Sequence, residues 1–219
     1  MAPSAFPPDE MICEQHLAEQ TIEVGPDKPL GFLRCTLERC HVVVRDTYPA
    51  IRHSRLIDCT IECTRKMTER GLPKFTTSEY VRCKFIGRFQ GVDFGRWPYP
   101  FVIGHENGRY IEGLDEIGGL IDCDFTESTL DLCRFFSVDI SQQRLAPWPQ
   151  FAIPHEREVA AAAAGLSWPG KLGVHIQLAP RQNSSLVATT GTVAGFMKHY
   201  KLTAEEVEQA LEAIGGVLR

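Results

Sequence analysis

The chain has 219 residues, 43% of them hydrophobic, with a formal net charge of -5 at pH 7 and a pI near 5.8. That length buries the core of one domain or of two closely packed ones, and the mild acidity argues against a nucleic-acid or anionic-membrane binder, whose footprint is a basic face. The opening MAPSAFPPDE has neither a basic n-region nor an apolar run, and no later segment approaches the roughly 18 to 20 apolar residues of a membrane span, so a cytoplasmic protein is expected.

Residues 1–29 read as an N-terminal cap: a Pro-rich lead, a short helix around EMICEQHLAEQ, and the alternating TIEV as a first strand. From residue 30 a repeat sets in. LRCTL (33–37), IDCTI (57–61), VRCKF (81–85) and IDCDF (121–125) align without gaps as apolar, charged, cysteine, polar, apolar. Their cysteines, at 35, 59, 83 and 123, are 24, 24 and 40 residues apart. The shorter spacing is the size of one solenoid coil.

Within IDCDFTESTLDLCRFFSVDI (121–140), large apolar residues fall at Phe125, Leu130, Phe135 and Ile140. Each follows a small or slim residue two positions earlier: Cys123, Ser128, Cys133 and Val138. A helix repeats about every 3.6 residues and a half-buried strand every 2, so a period of five requires a chain that turns a corner every fifth residue. Six of the eight cysteines fall two residues before such a centre: Cys35, Cys40, Cys59, Cys83, Cys123 and Cys133 precede Leu37, Val42, Ile61, Phe85, Phe125 and Phe135. None of the close pairs has C-x-x-C spacing, so these cysteines read as buried free thiols in inward ladders rather than disulfides or zinc ligands.

This pattern resembles the pentapeptide-repeat proteins over CDFTE-STLDL-CRFFS-VDI, and also over CTLERCHVV, SRLIDCTI and CKFIGRF. The resemblance implies a mainly β fold: a short right-handed quadrilateral β-helix over 30–141, with a small residue and a Leu or Phe inward on each face. RDTYPAIRH, KMTERGLPKFTTSE and FGRWPYPFVIGHENGRYIEG break the register and read as loop insertions. Residues 142–219 form a mostly helical C-terminal region packed on the β-helix. SQQRLAPWPQFAIP reads as a connection, HEREVAAAAAG and SLVATTGTVAGFMKHYK as helices, and VHIQL as a strand. LTAEEVEQALEAIGG is the strongest helix, with capping-box spacing at Thr203 and Glu206, an apolar stripe of Val207, Leu211 and Ile214, and a stop at Gly215 and Gly216.

The seven histidines form no ligand pattern, and there is no G-x-S-x-G, P-loop or dinucleotide fingerprint, so no metal or cofactor is expected. In GHENGRY, His105, Glu106 and Arg109 have the chemistry of a base, an acid and an anion clamp, but a turn on Asn107 and Gly108 explains the same residues. The insertion instead gathers Arg96, Trp97, Tyr99, Arg109 and Tyr110, the residue types that dominate binding hot spots, with Phe94 and Phe101 as anchors. The expected function is a non-catalytic protein-binding module, of the bacterial inhibitor or immunity type, that occludes a toxin or enzyme. Two alternatives stand beside it. Some pentapeptide-repeat proteins are acidic DNA mimics acting on topoisomerase, for which Asp58, Asp122, Asp124, Asp131 and Asp139 would form the surface; the other alternative is an enzyme using the GHENGRY loop.

Overall fold

A residue that must bury every fifth side chain while its chain turns a corner needs two things: a backbone able to bend there, and partners for the polar groups exposed by the bend. The computed structural model describes residues 10–25, 30–45, 50–68, 75–96, 105–106, 109–110, 118–155, 169, 172 and 186–219. It is a parallel β-solenoid of about five turns, followed by two C-terminal helices. The first coil is β1 (Glu10–Cys13), β2 (His16–Ala18) and β3 (Thr21–Val24); the second is β4 (Leu30–Leu33), β5 (Thr36–Glu38) and β6 (His41–Val44). The third is β7 (Ala50–Arg52), β8 (Arg55–Ile57) and β9 (Thr60–Thr68), and the fourth β10 (Glu79–Val81), β11 (Lys84–Gln90) and β12 (Asp93–Gly95). A small hairpin, β13 (His105–Glu106) and β14 (Arg109–Tyr110), precedes the fifth coil, β15 (Gly119–Ile121), β16 (Asp124–Asp131) and β17 (Arg134–Phe136). The chain then runs through β18 (Arg144–Leu145), β19 (Gln150–Pro154), β20 (Leu186–Thr192), α1 (Val193–Tyr200) and α2 (Ala204–Ile214).

Equivalent strands stack in parallel, residue over residue. Leu17, Leu37, Leu56, Tyr80 and Leu120 line one face. Ile22, Val42, Ile61 and Phe85 line the next. Phe89 and Leu130 share a third, and Phe75, Phe94 and Phe135 a fourth. Leu120, Phe125, Leu130 and Phe135 therefore occupy four successive faces, and Leu145 returns to pair beside Phe125 twenty residues on. Four five-residue sides make the coil.

The six residues expected inward, Leu37, Ile61, Phe85, Phe125, Leu130 and Phe135, are all 0% exposed. Their period extends backwards through Phe32, Leu56, Phe75 and Tyr80, also 0% exposed. Rings stack along the axis at nearly the strand spacing: Phe85 on Phe125 at 4.7 Å, Phe75 on Phe94 at 5.1 Å, and Phe94 on Phe135 at 5.2 Å. At five of these corners the bend lies three residues before the centre, where Arg34, Arg39, Asp58, Arg82 and Asp122 take φ between 50° and 52°. Non-glycine residues pay steric strain in this left-handed region, and the burial of the residue that follows offsets it.

Several expectations are corrected. EMICEQHLAEQ is not a helix but β1 and β2, because Ile12 and Leu17 continue the five-residue period and pair with β4 and β5. Residues 10–25, expected within a cap, are thus a coil of the stack. RDTYPAIRH still places Ile51 in the core, and KMTERGLPKFTTSE is strand as far as Thr68. Beyond residue 142, β18 and β19 stand where a plain connection was expected. The first half of SLVATTGTVAGFMKHYK is β20, not helix: its β-branched residues are held between β17 and β19 by antiparallel pairing on both sides. The second half is α1. HEREVAAAAAG beyond His155, and VHIQL, lie outside the described residues.

The α2 helix matches its reading. Glu206 N–H donates to Thr203 Oγ1 (3.2 Å) while Thr203 N–H donates to Glu206 Oε2 (2.8 Å), and Val207, Leu211 and Ile214 are buried. They join Phe151, Ile153, Val193 and Phe196 in a second cluster that seats both helices against the β19–β20 pair. Two outcomes test this fold. Phe85→Ala is expected to lower stability by about 3 to 5 kcal/mol in urea unfolding, because the stacked cavity cannot collapse. At the corner, Asp122→Val should melt at a lower temperature than Asp122→Gly, since a β-branched residue is worst placed at positive φ.

Candidate functional site

The insertion expected to bind a partner is rooted in the core. On β12, Phe94 is fully buried between Phe75 and Phe135, so it is a core residue of the fourth coil and the excursion begins only after Arg96. Arg96 is exposed, and its backbone N–H donates to Phe136 O (2.8 Å). At Gly118, φ is +145° and an added Cβ would stand 3.0 Å from Thr76 O and 3.4 Å from the Cα of Arg96. Such a close approach at positive φ suits glycine alone. Arg96 and Gly118 therefore lie side by side, and β15 of the fifth coil pairs directly onto β10 of the fourth.

Of the five expected contact residues, Trp97 and Tyr99 lie outside the described residues, as does Phe101. Arg109 and Tyr110 form β14, which pairs antiparallel with β13 in the register Glu106 to Arg109 and His105 to Tyr110. The GHENGRY residues His105, Glu106 and Arg109 are thus strand residues flanking Asn107 and Gly108.

The solenoid walls have a different character. Their charges are complementary from coil to coil: Glu14 with Arg34 (3.1 Å), Glu19 with Arg39 (2.9 Å), Glu23 with Arg45 (2.7 Å), Asp58 with Arg82 (2.7 Å) and Arg55 with Glu79 (2.6 Å). Lys84 pairs with Glu127, and the largely buried Asp93 takes a bidentate contact from Arg134. The hydrogen bond from Arg82 holds the Asp58 carboxyl below its ordinary range. Among the acids considered as a mimic surface, Asp124 meets Arg144 (3.0 Å), and Asp131 accepts from Thr192 N–H (3.2 Å) at the start of α1. Asp139 accepts from Ser141 N–H (3.0 Å) and caps a short 3-10 turn. Asp122 is exposed.

The inward slot two residues before each centre does more than fill space. Its thiol or hydroxyl donates to a carbonyl of the preceding coil: Cys59 to Leu37 O (3.3 Å), Cys83 to Leu56 O (3.4 Å), Cys123 to Tyr80 O (3.3 Å) and Ser128 to Phe85 O (2.7 Å). The same side chains accept from the preceding coil, as Ser54 Oγ does from Cys35 N–H (3.0 Å) and Cys59 Sγ from Cys40 N–H (3.4 Å). At the last coil the slot holds Gln143, whose Oε1 accepts from Cys123 N–H (3.0 Å) while its Nε2 donates to Leu120 O (3.4 Å). Gln150 Oε1 likewise accepts from Leu130 N–H (2.7 Å). Neither glutamine stands out in the sequence. Counting on in fives reaches Gln143 from Cys123 and Gln150 from Phe135.

No protein-family model matches the chain, and no curated protein matches it. Among the described residues no group of three or more His, Cys, Asp or Glu side chains is arranged to hold a metal ion, and no helix is long and apolar enough to cross a membrane.

All eight cysteines are free; Cys13 is exposed and the other seven are buried. Burial pushes Cys123 up to about 11 and Cys63 and Cys133 up to about 12. In the native protein a thiol reagent should label Cys13 alone at once, with the rest reacting only on unfolding. The unfolded chain ionises Cys63, Cys123 and Cys133 from about pH 8.5 while the folded chain keeps those three neutral. Stability is therefore present below that pH and lost as pH rises toward 11 and 12, seen as a falling melting temperature in an alkaline series.

Proposed function

We propose that the chain is an interrupted pentapeptide-repeat protein that works by binding another protein, as a bacterial inhibitor or immunity-type protein in the cytoplasm that occludes a toxin or enzyme. The observation that carries this reading is the contrast between wall and insertion. The walls' ion pairs are engaged coil to coil, and exposed pairs of this kind contribute only about 0 to 1 kcal/mol each to any interaction. The fifth coil pairs directly onto the fourth, with Arg96 and Gly118 side by side, and the sequence between those two residues concentrates Trp97, Tyr99, Arg109 and Tyr110. An aromatic anchor in a partner's pocket contributes about 2 kcal/mol or more, so the insertion is the stronger contact element. Occlusion by a loop on a stiff scaffold requires no cofactor and no catalytic group.

The engagement of Asp58, Asp124, Asp131 and Asp139 within the fold weighs against an acidic mimic surface built from them. The strand setting of His105, Glu106 and Arg109 supplies no added support for an active-site loop.

The test begins with the partner that co-purifies from the native source. Trp97→Ala and Tyr99→Ala should each weaken its binding about tenfold or more with circular dichroism unchanged, while Asp122→Lys leaves affinity intact. Unchanged affinity in both aromatic variants, with loss in Asp122→Lys, would transfer the site to the wall.

A further inference from the structure

The two ends of the stack differ. At the C-terminal end β18 pairs onto β16, β20 pairs onto β17, and the amides of Gln143 and Gln150 take up backbone N–H groups of the fifth coil. At the other end, among the described residues, β1, β2 and β3 each pair on one side only, with β4, β5 and β6. Such an edge is a ready template for a further strand.

Two independent features of this edge say what would fit it. In the second to fifth coils a slot cysteine serves the backbone of the coil before it, and Gln143 shows how a glutamine does so, with Oε1 on an N–H and Nε2 on a C=O. The first coil also carries glutamines in its slots: Gln20 continues the stack of Cys40, Cys59, Cys83, Cys123 and Gln143, and Gln15 that of Cys35, Ser54 and Ser78. Both are exposed, in the positions that serve a preceding rung. Ile12 and Leu17, which precede the fully buried Phe32 and Leu37 on their faces, are only partly covered.

The second feature is charge. One corner reads Glu19, Arg39, Asp58, Arg82, Asp122 through successive coils, alternating in sign, with Arg39 bound to Glu19 and Arg82 to Asp58. Glu14 with Arg34, and Glu23 with Arg45, repeat the same order elsewhere on the rim. A rung laid outside Glu14, Glu19 and Glu23 continues the alternation only if it is cationic there. Two copies meeting edge to edge would oppose glutamate to glutamate, and like charges directly opposite are destabilising.

We propose that the N-terminal edge of the solenoid is a docking site for an extended polypeptide segment with Arg or Lys at five-residue spacing and apolar residues between, taken up as one further rung. The glutamine amides bind its backbone, Glu14, Glu19 and Glu23 face its cations, and Ile12 and Leu17 receive its apolar side chains. This surface is separate from the insertion, so its fate does not depend on Trp97 or Tyr99.

The probe is a synthetic peptide with the sequence of residues 30–45, carrying Cys35→Ser and Cys40→Ser, in which Arg34 and Arg39 supply the five-residue cation spacing and Arg45 the cation for Glu23. Its binding to the full chain is followed by fluorescence anisotropy, and backbone protection by hydrogen exchange. Saturable binding is expected, with slowed exchange at the His16 and Thr21 amides, whose counterparts Thr36 and His41 donate to the coil before them. Affinity should fall about tenfold or more in Glu14→Lys/Glu19→Lys, and also in Gln15→Ala/Gln20→Ala, whose side chains are exposed and leave the fold intact. A peptide with the three arginines changed to glutamate should not bind. No saturable binding, binding indifferent to both double variants, protection mapping elsewhere, or self-association through this edge in sedimentation would each overturn the proposal.

Discussion

The corner is the constraint on which the rest of the structure depends. Many sides of the coil end at a residue near φ +50°, as at Arg34, Arg39, Asp58, Arg82 and Asp122, and the bend leaves backbone N–H and C=O groups facing an apolar interior that offers no water. A thiol, hydroxyl or amide from the next coil takes up those groups, and this is why the slot two residues before each centre is Cys, Ser or Gln so often, rather than Ala. The polar partner also determines register. Slipping one coil by a single residue would turn the slot outward and leave the bend of its neighbour unpaired. Cysteine suits the position because it is small, tolerates full burial and still donates weakly.

The same arrangement determines what the surfaces have left to offer. Parallel stacking brings like positions of successive coils within about 5 Å, so outward charges meet partners of opposite sign in their own wall. A wall whose carboxylates and guanidinium groups already face one another is stiff and well solvated, and it makes a scaffold better than it makes a grip. An edge of the stack has neighbours on one side only, and among the described residues β1 to β3 form such an edge.

Much of the solenoid was legible because the five-residue period is a direct imprint of geometry on sequence. The inward set from Leu37 to Phe135 and the buried free thiols followed from that spacing alone. The first coil is hard to see because Glu10, Gln15 and Gln20 stand at its slot positions, and without a small residue there EMICEQHLAEQ lacks the repeat's signature and reads as a short helix. The strand at Leu186–Thr192 was missed for another reason. Its pairing partners, β17 and β19, lie some thirty to fifty residues earlier, and local propensity carries no trace of them. At the candidate site the composition of the insertion was visible, but not that its ends meet at Gly118. That follows from the approach of Arg96 Cα, a tertiary contact no short window contains.

Slot hydrogen bonds, and not volume alone, tie the coils together. The most direct measurement is urea unfolding of chains in which Cys59, Cys83 and Cys123 are all changed to serine, and separately all to valine. Serine keeps a donor and acceptor at each bend, whereas valine fills the space and leaves the carbonyls of Leu37, Leu56 and Tyr80 without their side-chain donors. The account predicts that the serine chain is the more stable of the two and keeps the cooperative transition of the parent. A valine chain as stable as the serine chain, or more so, would contradict it.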